Sequence, residues 1–144
     1  MRHTHRVLAI TIATLAALGT ASGQNPVLDW NNTAMTTALA ASQVTAPGSN
    51  TQPGSILYLT YMHLAIYDAI NAIDHRFQSY GPDIFAPADA SQEAAVTEAA
   101  YRTLVHLFPD QVSNLTMLYN SALAAIPDAL AKTEGMQAGL AAAN

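Results

Sequence analysis

Residues 55–74 read SILYLTYMHLAIYDAINAID, from Ser55 to Asp74, a long apolar run broken only by Thr60, His63, Asp68 and Asn71. At 100° per residue Thr60, His63, Tyr67, Asn71 and Asp74 fall on one narrow stripe, while Tyr58, Met62, Ala65, Ile66, Ala69 and Ile73 gather opposite it. A helix with so thin a polar edge demands cover from other helices. The stretch is therefore predicted to be the central helix of a bundle. The remaining sequence is not expected to surround it fully, which points to an incomplete domain.

The flanking segments carry their own helical signals. Pro26 opens an amphipathic stretch, Val27–Ser42, with Leu28, Met35, Ala38 and Leu39 on one side. Thr45–Ser55 is rich in Pro, Gly and Ser and reads as a loop. His75–Asp89 holds Gly81, Pro82 and Pro87 and reads as another, with Phe77, Tyr80 and Phe85 expected to anchor it onto the bundle. Asp89 or Ser91 would cap the next helix, Ser91–Phe108, and Gln92 lies three residues after Asp89, as a capping box requires. After Pro109-Asp110, Val112, Leu115, Leu118, Tyr119, Ala122, Leu123 and Ile126 follow the helical period. Pro127-Asp128 punctuates again before a last helix, Asp128–Asn144, which lacks the usual glycine, proline or basic ending. No strand-period alternation and no repeat is present. The expected architecture is all-α, a bundle of four to five helices.

Composition agrees with a packed chain: 51% of the 144 residues are apolar and 10% charged. There is no cysteine, hence no disulfide framework and no thiolate chemistry. The N-terminus has a secretory layout: Arg2, His3, His5 and Arg6, then the uncharged run Val7–Gly19, then Ala21-Ser22-Gly23 before Gln24. That run is shorter than the roughly 20 residues a spanning helix needs, so residues 1–23 read as a cleaved signal peptide and 24–144 as a helical domain without a stable membrane span. The expected location is secreted or periplasmic. Without the signal, Arg76, Arg102 and Lys132 face all ten Asp and Glu, a formal charge of −7. Nucleic acid is not an expected partner of such a chain, nor is an anionic membrane.

The polar residues that could carry chemistry have plainer roles. His63, beside Tyr67 on the polar stripe, reads as a hydrogen-bonded structural histidine. Glu98, Arg102 and His106 are spaced as an ordinary solvated helix face, and Asp128–Lys132 as a second i, i+4 pair. Asp68 and Asn71 are placed to bond each other or a neighbouring helix end. A metal site from His63, Asp68 and His75 has no recognised ligand spacing. The sequence holds no G-x-S-x-G, H-E-x-x-H, phosphate loop or EF-hand loop. No catalytic, cofactor-binding or metal residue is assigned.

Three pieces nevertheless have a familiar order: Val27-Leu28-Asp29-Trp30-Asn31, then His63-Leu64-Ala65-Ile66-Tyr67-Asp68-Ala69-Ile70-Asn71-Ala72-Ile73, then Ala90-Ser91 with Glu93-Ala94-Ala95-Val96 and Ala99-Ala100, running to Leu107-Phe108-Pro109. From about Val27 onward the chain resembles the N-terminal helical half of bacterial secreted proteins related to vanadium-dependent haloperoxidases, in the superfamily shared with type 2 phosphatidic acid phosphatases. The catalytic signature of that superfamily is a lysine followed by Arg-Pro, then Pro-Ser-Gly-His, then Ser-Arg and a later histidine. Nothing here corresponds to it. The one lysine is Lys132, no arginine precedes a proline, and the Pro-Gly-Ser triplets at 47–49 and 53–55 have another order and no histidine. The resemblance implies vanadate only for a full-length relative.

Two functions follow as expectations. One is a set of scaffold helices lacking the oxyanion-binding half, inactive alone, with that missing half or a second copy as partner. The other is an exported helical binding module. Export makes the first prediction: intact-mass measurement of protein from the culture medium or periplasm should find a chain beginning near Gln24. Molecules that mostly retain Met1 would contradict it.

Overall fold

The computed structural model describes residues 25–45 and 54–144. The signal segment 1–23, and the loop expected over Thr45–Ser55 except at its ends, lie outside the described residues. The elements are α1 (Pro26–Thr45), α2 (Gly54–Asp74), α3 (Gln92–Leu107), a 3₁₀ turn (Pro109–Gln111), α4 (Val112–Ala125) and α5 (Leu130–Ala142). The architecture is all-α, and no strand occurs among the described residues.

Local chemistry sets the boundaries. Asn25 caps α1 by accepting the backbone N–H groups of Val27 and Leu28 at 3.1 and 3.4 Å, with Pro26 in the first turn. Ser91 caps α3: its Oγ accepts the N–H of Ala94 at 3.1 Å. The expected capping box does not form, because Gln92 turns back and donates to Asp74 Oδ1 at 2.6 Å. α2 closes on His75, whose N–H donates to Asn71 O at 2.8 Å and whose φ of 53° turns the chain out of the helix. That left-handed closure is commoner at glycine.

The centre of the bundle is α3, not α2. α3 packs against α1, α2, α4 and α5, and everything from Ala94 to Ala100 is buried. α2 runs antiparallel to it, since Tyr58 meets Phe108 edge-on at 5.0 Å while Asp74 bonds Gln92. The face of α2 that the spacing assigns to the core is the face in it: Met62, Ala65, Ile66, Ala69 and Ile73 are buried, with Ala72. Its far side is uncovered at Leu57 and Tyr61.

Small residues explain why α3 takes the centre. More than half of the buried apolar side chains are alanine. α5 lies along α3 in the same direction, and its Gly135 and Gly139 touch α3 directly. A Cβ on Gly135 would stand 2.2 Å from the Ser91 carbonyl oxygen, and one on Gly139 would stand 2.4 Å from that of Ala95. The Ser91 N–H also donates to Ala131 O at 2.8 Å, tying the two helix starts together. Interaxial distance depends on the side chains at the crossing, and here there are almost none.

The same geometry corrects two expected faces. α1 buries Trp30, Ala34, Thr37 and Ala38, leaving Leu28, Met35 and Leu39 outside. α4 buries only Leu115, and Val112 and Leu118 are exposed. The glycine contact yields the second prediction. Gly139→Ala should lose about 1–3 kcal/mol to overpacking, more than the roughly 1 kcal/mol of helix propensity it gains. A lower urea midpoint than the parent chain would show this; an equal or higher one would place α5 further from α3.

Candidate functional site

Three polar clusters organise the bundle, and the first spans α2 and the strap of residues 75–91. Tyr67 and Asn71 of the α2 polar stripe, with Asp68 beside them, hold that strap. Asn71 makes two bonds with Phe77, accepting its N–H at 2.9 Å and donating to its carbonyl at 2.7 Å. The Tyr67 hydroxyl donates to Gln78 O at 3.0 Å. Asp68 is buried and accepts the N–H groups of Tyr80 and Gly81 at 2.8 and 2.9 Å, one on each oxygen. Gly81 permits the approach: an added Cβ there would be 3.2 Å from Asp68 Oδ2.

The strap's aromatic residues do not anchor it. Phe77, Tyr80 and Phe85 are 64, 73 and 81% exposed. Hydrogen bonds to the strap's backbone fix its path instead, leaving the rings outward, with Tyr80 edge-on to Tyr67 at 5.3 Å and Phe85 stacked on His75 at 5.2 Å.

The second cluster links α3 to α4. Glu98 is 2% exposed, so it belongs to the core and not to a solvated face. Its Oε1 accepts from Arg102 Nε at 2.6 Å and its Oε2 from the Tyr119 hydroxyl at 2.5 Å. Tyr101 and Tyr119 stack at 4.1 Å, and the Tyr101 hydroxyl pairs with Thr116 Oγ1 at 3.0 Å. The hydrogen bond to Glu98 raises the Arg102 pKa, although partial burial opposes the rise. Burial, and then the bond to Glu98, pushes the Tyr119 phenol well above its ordinary value.

The third is at the start of α5. Lys132 Nζ donates to Asp128 Oδ1 at 2.7 Å and to Ile126 O at 3.3 Å, and holds the fully exposed Asp128 carboxyl below its usual range.

The remaining candidates do not converge. His63 Nε2 pairs with Asn31 Oδ1 at 2.9 Å and so joins α2 to α1, a hydrogen bond of the kind its position suggests. Asp68 is bonded into the strap and His75 is stacked on Phe85. No group of three His, Cys, Asp or Glu among the described residues could hold a metal ion. No described helix is long and apolar enough to cross a membrane.

Two open grooves flank Tyr80 and Leu64. One, of about 490 Å³, lies between α2, α3 and the end of α5 and includes Tyr61, Asp68, Thr103, His106 and Leu107. The other, of about 480 Å³, runs along α2 over Leu59, Thr60, His63 and Tyr67. Neither is lined by lysine or arginine. Sequence reading missed the burial of Glu98, and the signal for it was present: Ala94, Ala95, Ala99 and Ala100 bracket it on the helix.

Comparison of the chain with protein families, with curated proteins and with solved structures finds no match.

Tyr119 supplies the third prediction. Its phenol keeps its proton in the folded chain at a pH where the unfolded chain loses it, so the Tyr119 contribution to folding stability is full below about pH 10 and is lost as pH rises further. Tyr119→Phe should flatten that alkaline loss in denaturant titrations at successive pH values. An unchanged alkaline slope in the variant would assign the loss to other groups.

Proposed function

We propose that the chain provides the scaffold helices of an exported protein related to vanadium-dependent haloperoxidases and type 2 phosphatidic acid phosphatases, without the oxyanion pocket of those enzymes. The observation that carries this reading is the employment of its cations. Arg102 is paired with Glu98, Lys132 with Asp128, and Arg76 lies 5.6 Å over the Phe77 ring. Arg102 is on α3, Lys132 on α5 and Arg76 in the strap, and none of them lines either of the two described grooves. An oxyanion needs several convergent, charge-assisted donors, so these residues do not fit vanadate or phosphate, and no reaction step is assigned to them.

The residues behind the resemblance support the same reading, because they hold the bundle together. Trp30, Ala65, Ile66, Ala94, Ala95, Ala99 and Ala100 are core, and Asp68 and Asn71 fasten the strap. These are structural duties. The partner this reading expects is the oxyanion-binding half of such a protein, or a second copy of the chain.

A second reading, an exported helical binding module, is favoured by the fixed strap with its outward aromatic residues and by the paired grooves beside it. Preorganised aromatic groups are common anchors in protein recognition.

The fourth prediction follows from the scattered cations. The purified chain should neither oxidise bromide with peroxide and vanadate nor hydrolyse p-nitrophenyl phosphate above background. Turnover that survives further purification would refute the scaffold reading. Sedimentation and ANS fluorescence separate the two readings: self-association with dye binding supports an uncovered scaffold, and a dye-negative, cooperatively unfolding monomer supports the module.

A further inference from the structure

α4 is the least secured helix of the bundle. Leu115 is its single buried residue, while Val112, Met117 and Leu118 face solvent. Its first residue has no side-chain cap, and its first and last turns carry no acid or base of their own. What fastens it is mainly polar: the Tyr119 hydroxyl on Glu98, the Tyr101–Thr116 hydroxyl pair, and the stacked rings of Tyr101 and Tyr119.

The acceptor at the centre of this contact is seated independently of α4. Arg102, on the same helix, holds the other Glu98 oxygen. Gly139 of α5 is so close that an added Cβ would stand 2.8 Å from the Glu98 Cβ. Arg102 and α5 thus contact Glu98 from sides other than that of α4.

We propose that α4 is a releasable helix, latched to α3 by the buried Glu98 carboxylate through Tyr119, that opens while α1, α2, α3 and α5 stay packed. This inference is independent of the scaffold reading. Both ends of α4 are pinned. Phe108, before the 3₁₀ turn, is buried at the end of α3, and the Ala131 carbonyl accepts the Ser91 N–H at its start. Those anchor points are separated by the length of α3, about 24 Å at 1.5 Å per residue. α4 stays tethered at both ends of α3 when it opens, and it opens as a local cooperative unit. Opening uncovers the Glu98 carboxylate beside the Tyr101 phenol, a polar site that the latched state closes.

Hydrogen exchange followed by mass spectrometry on the full chain tests the latch. Amides of residues 112–125 should exchange faster than those of 94–104 in the parent protein. Tyr119→Phe keeps the ring and removes the donor; it should speed exchange of 112–125 by about tenfold or more and leave 94–104 unchanged. Glu98→Gln keeps the shape and weakens the acceptor, and should act in the same direction to a smaller degree. Equal exchange of the two segments in the parent, or a uniform rise across both in Tyr119→Phe, would overturn the proposal.

Discussion

The bundle is organised around the contact of Gly135 and Gly139 with the backbone of α3. With carbonyl oxygens 2.2 and 2.4 Å from where a Cβ would sit, α5 cannot carry even alanine at either position without moving. Close approach brings many weak contacts into range at once, and alanines at 94, 95, 99 and 100 leave α3 narrow enough to be reached from several sides. α3 becomes the axis because it is thin, although α2 is the more hydrophobic helix.

Two consequences follow. Large side chains are displaced outward, so Leu28, Met35, Leu39, Leu57 and Tyr61 stand in solvent while alanines fill the core. Polar groups are then used where bulky packing is lacking. Asp68 and Asn71 hold the strap by its backbone, His63 and Asn31 join α1 to α2, and Glu98 receives α4. Buried carboxylates are costly unless fully bonded. Both oxygens of Asp68 and both of Glu98 are bonded, and no buried side-chain polar atom among the described residues lacks a partner.

The parts legible in sequence were those where periodicity and size agree. On α2 the large residues Met62, Ile66 and Ile73 share the core face with the alanines, so the period alone marks the buried side, and the helix succession and the hydrogen-bonded state of His63 are legible too. Elsewhere size misled. On α1 hydrophobicity favours the Leu28, Met35, Leu39 side, yet Trp30 with Ala34 and Ala38 fits the narrow space beside α3. Charge misled too: Glu98, Arg102 and His106 have the spacing of a solvated face, while the alanines around Glu98 show that its position is internal. The strap's backbone bonds were beyond reach, because they join residues six to thirteen apart through a loop whose path no period encodes.

Nuclear Overhauser spectroscopy addresses the axis directly. If α3 and α5 lie in glycine contact, the Hα protons of Gly135 should show strong cross-peaks to the Ala94 methyl group. Those of Gly139 should reach the Glu98 Hβ protons and the Ala99 amide proton. Cross-peaks from both glycines confined to α5, or directed to α4, would contradict an α3-centred bundle.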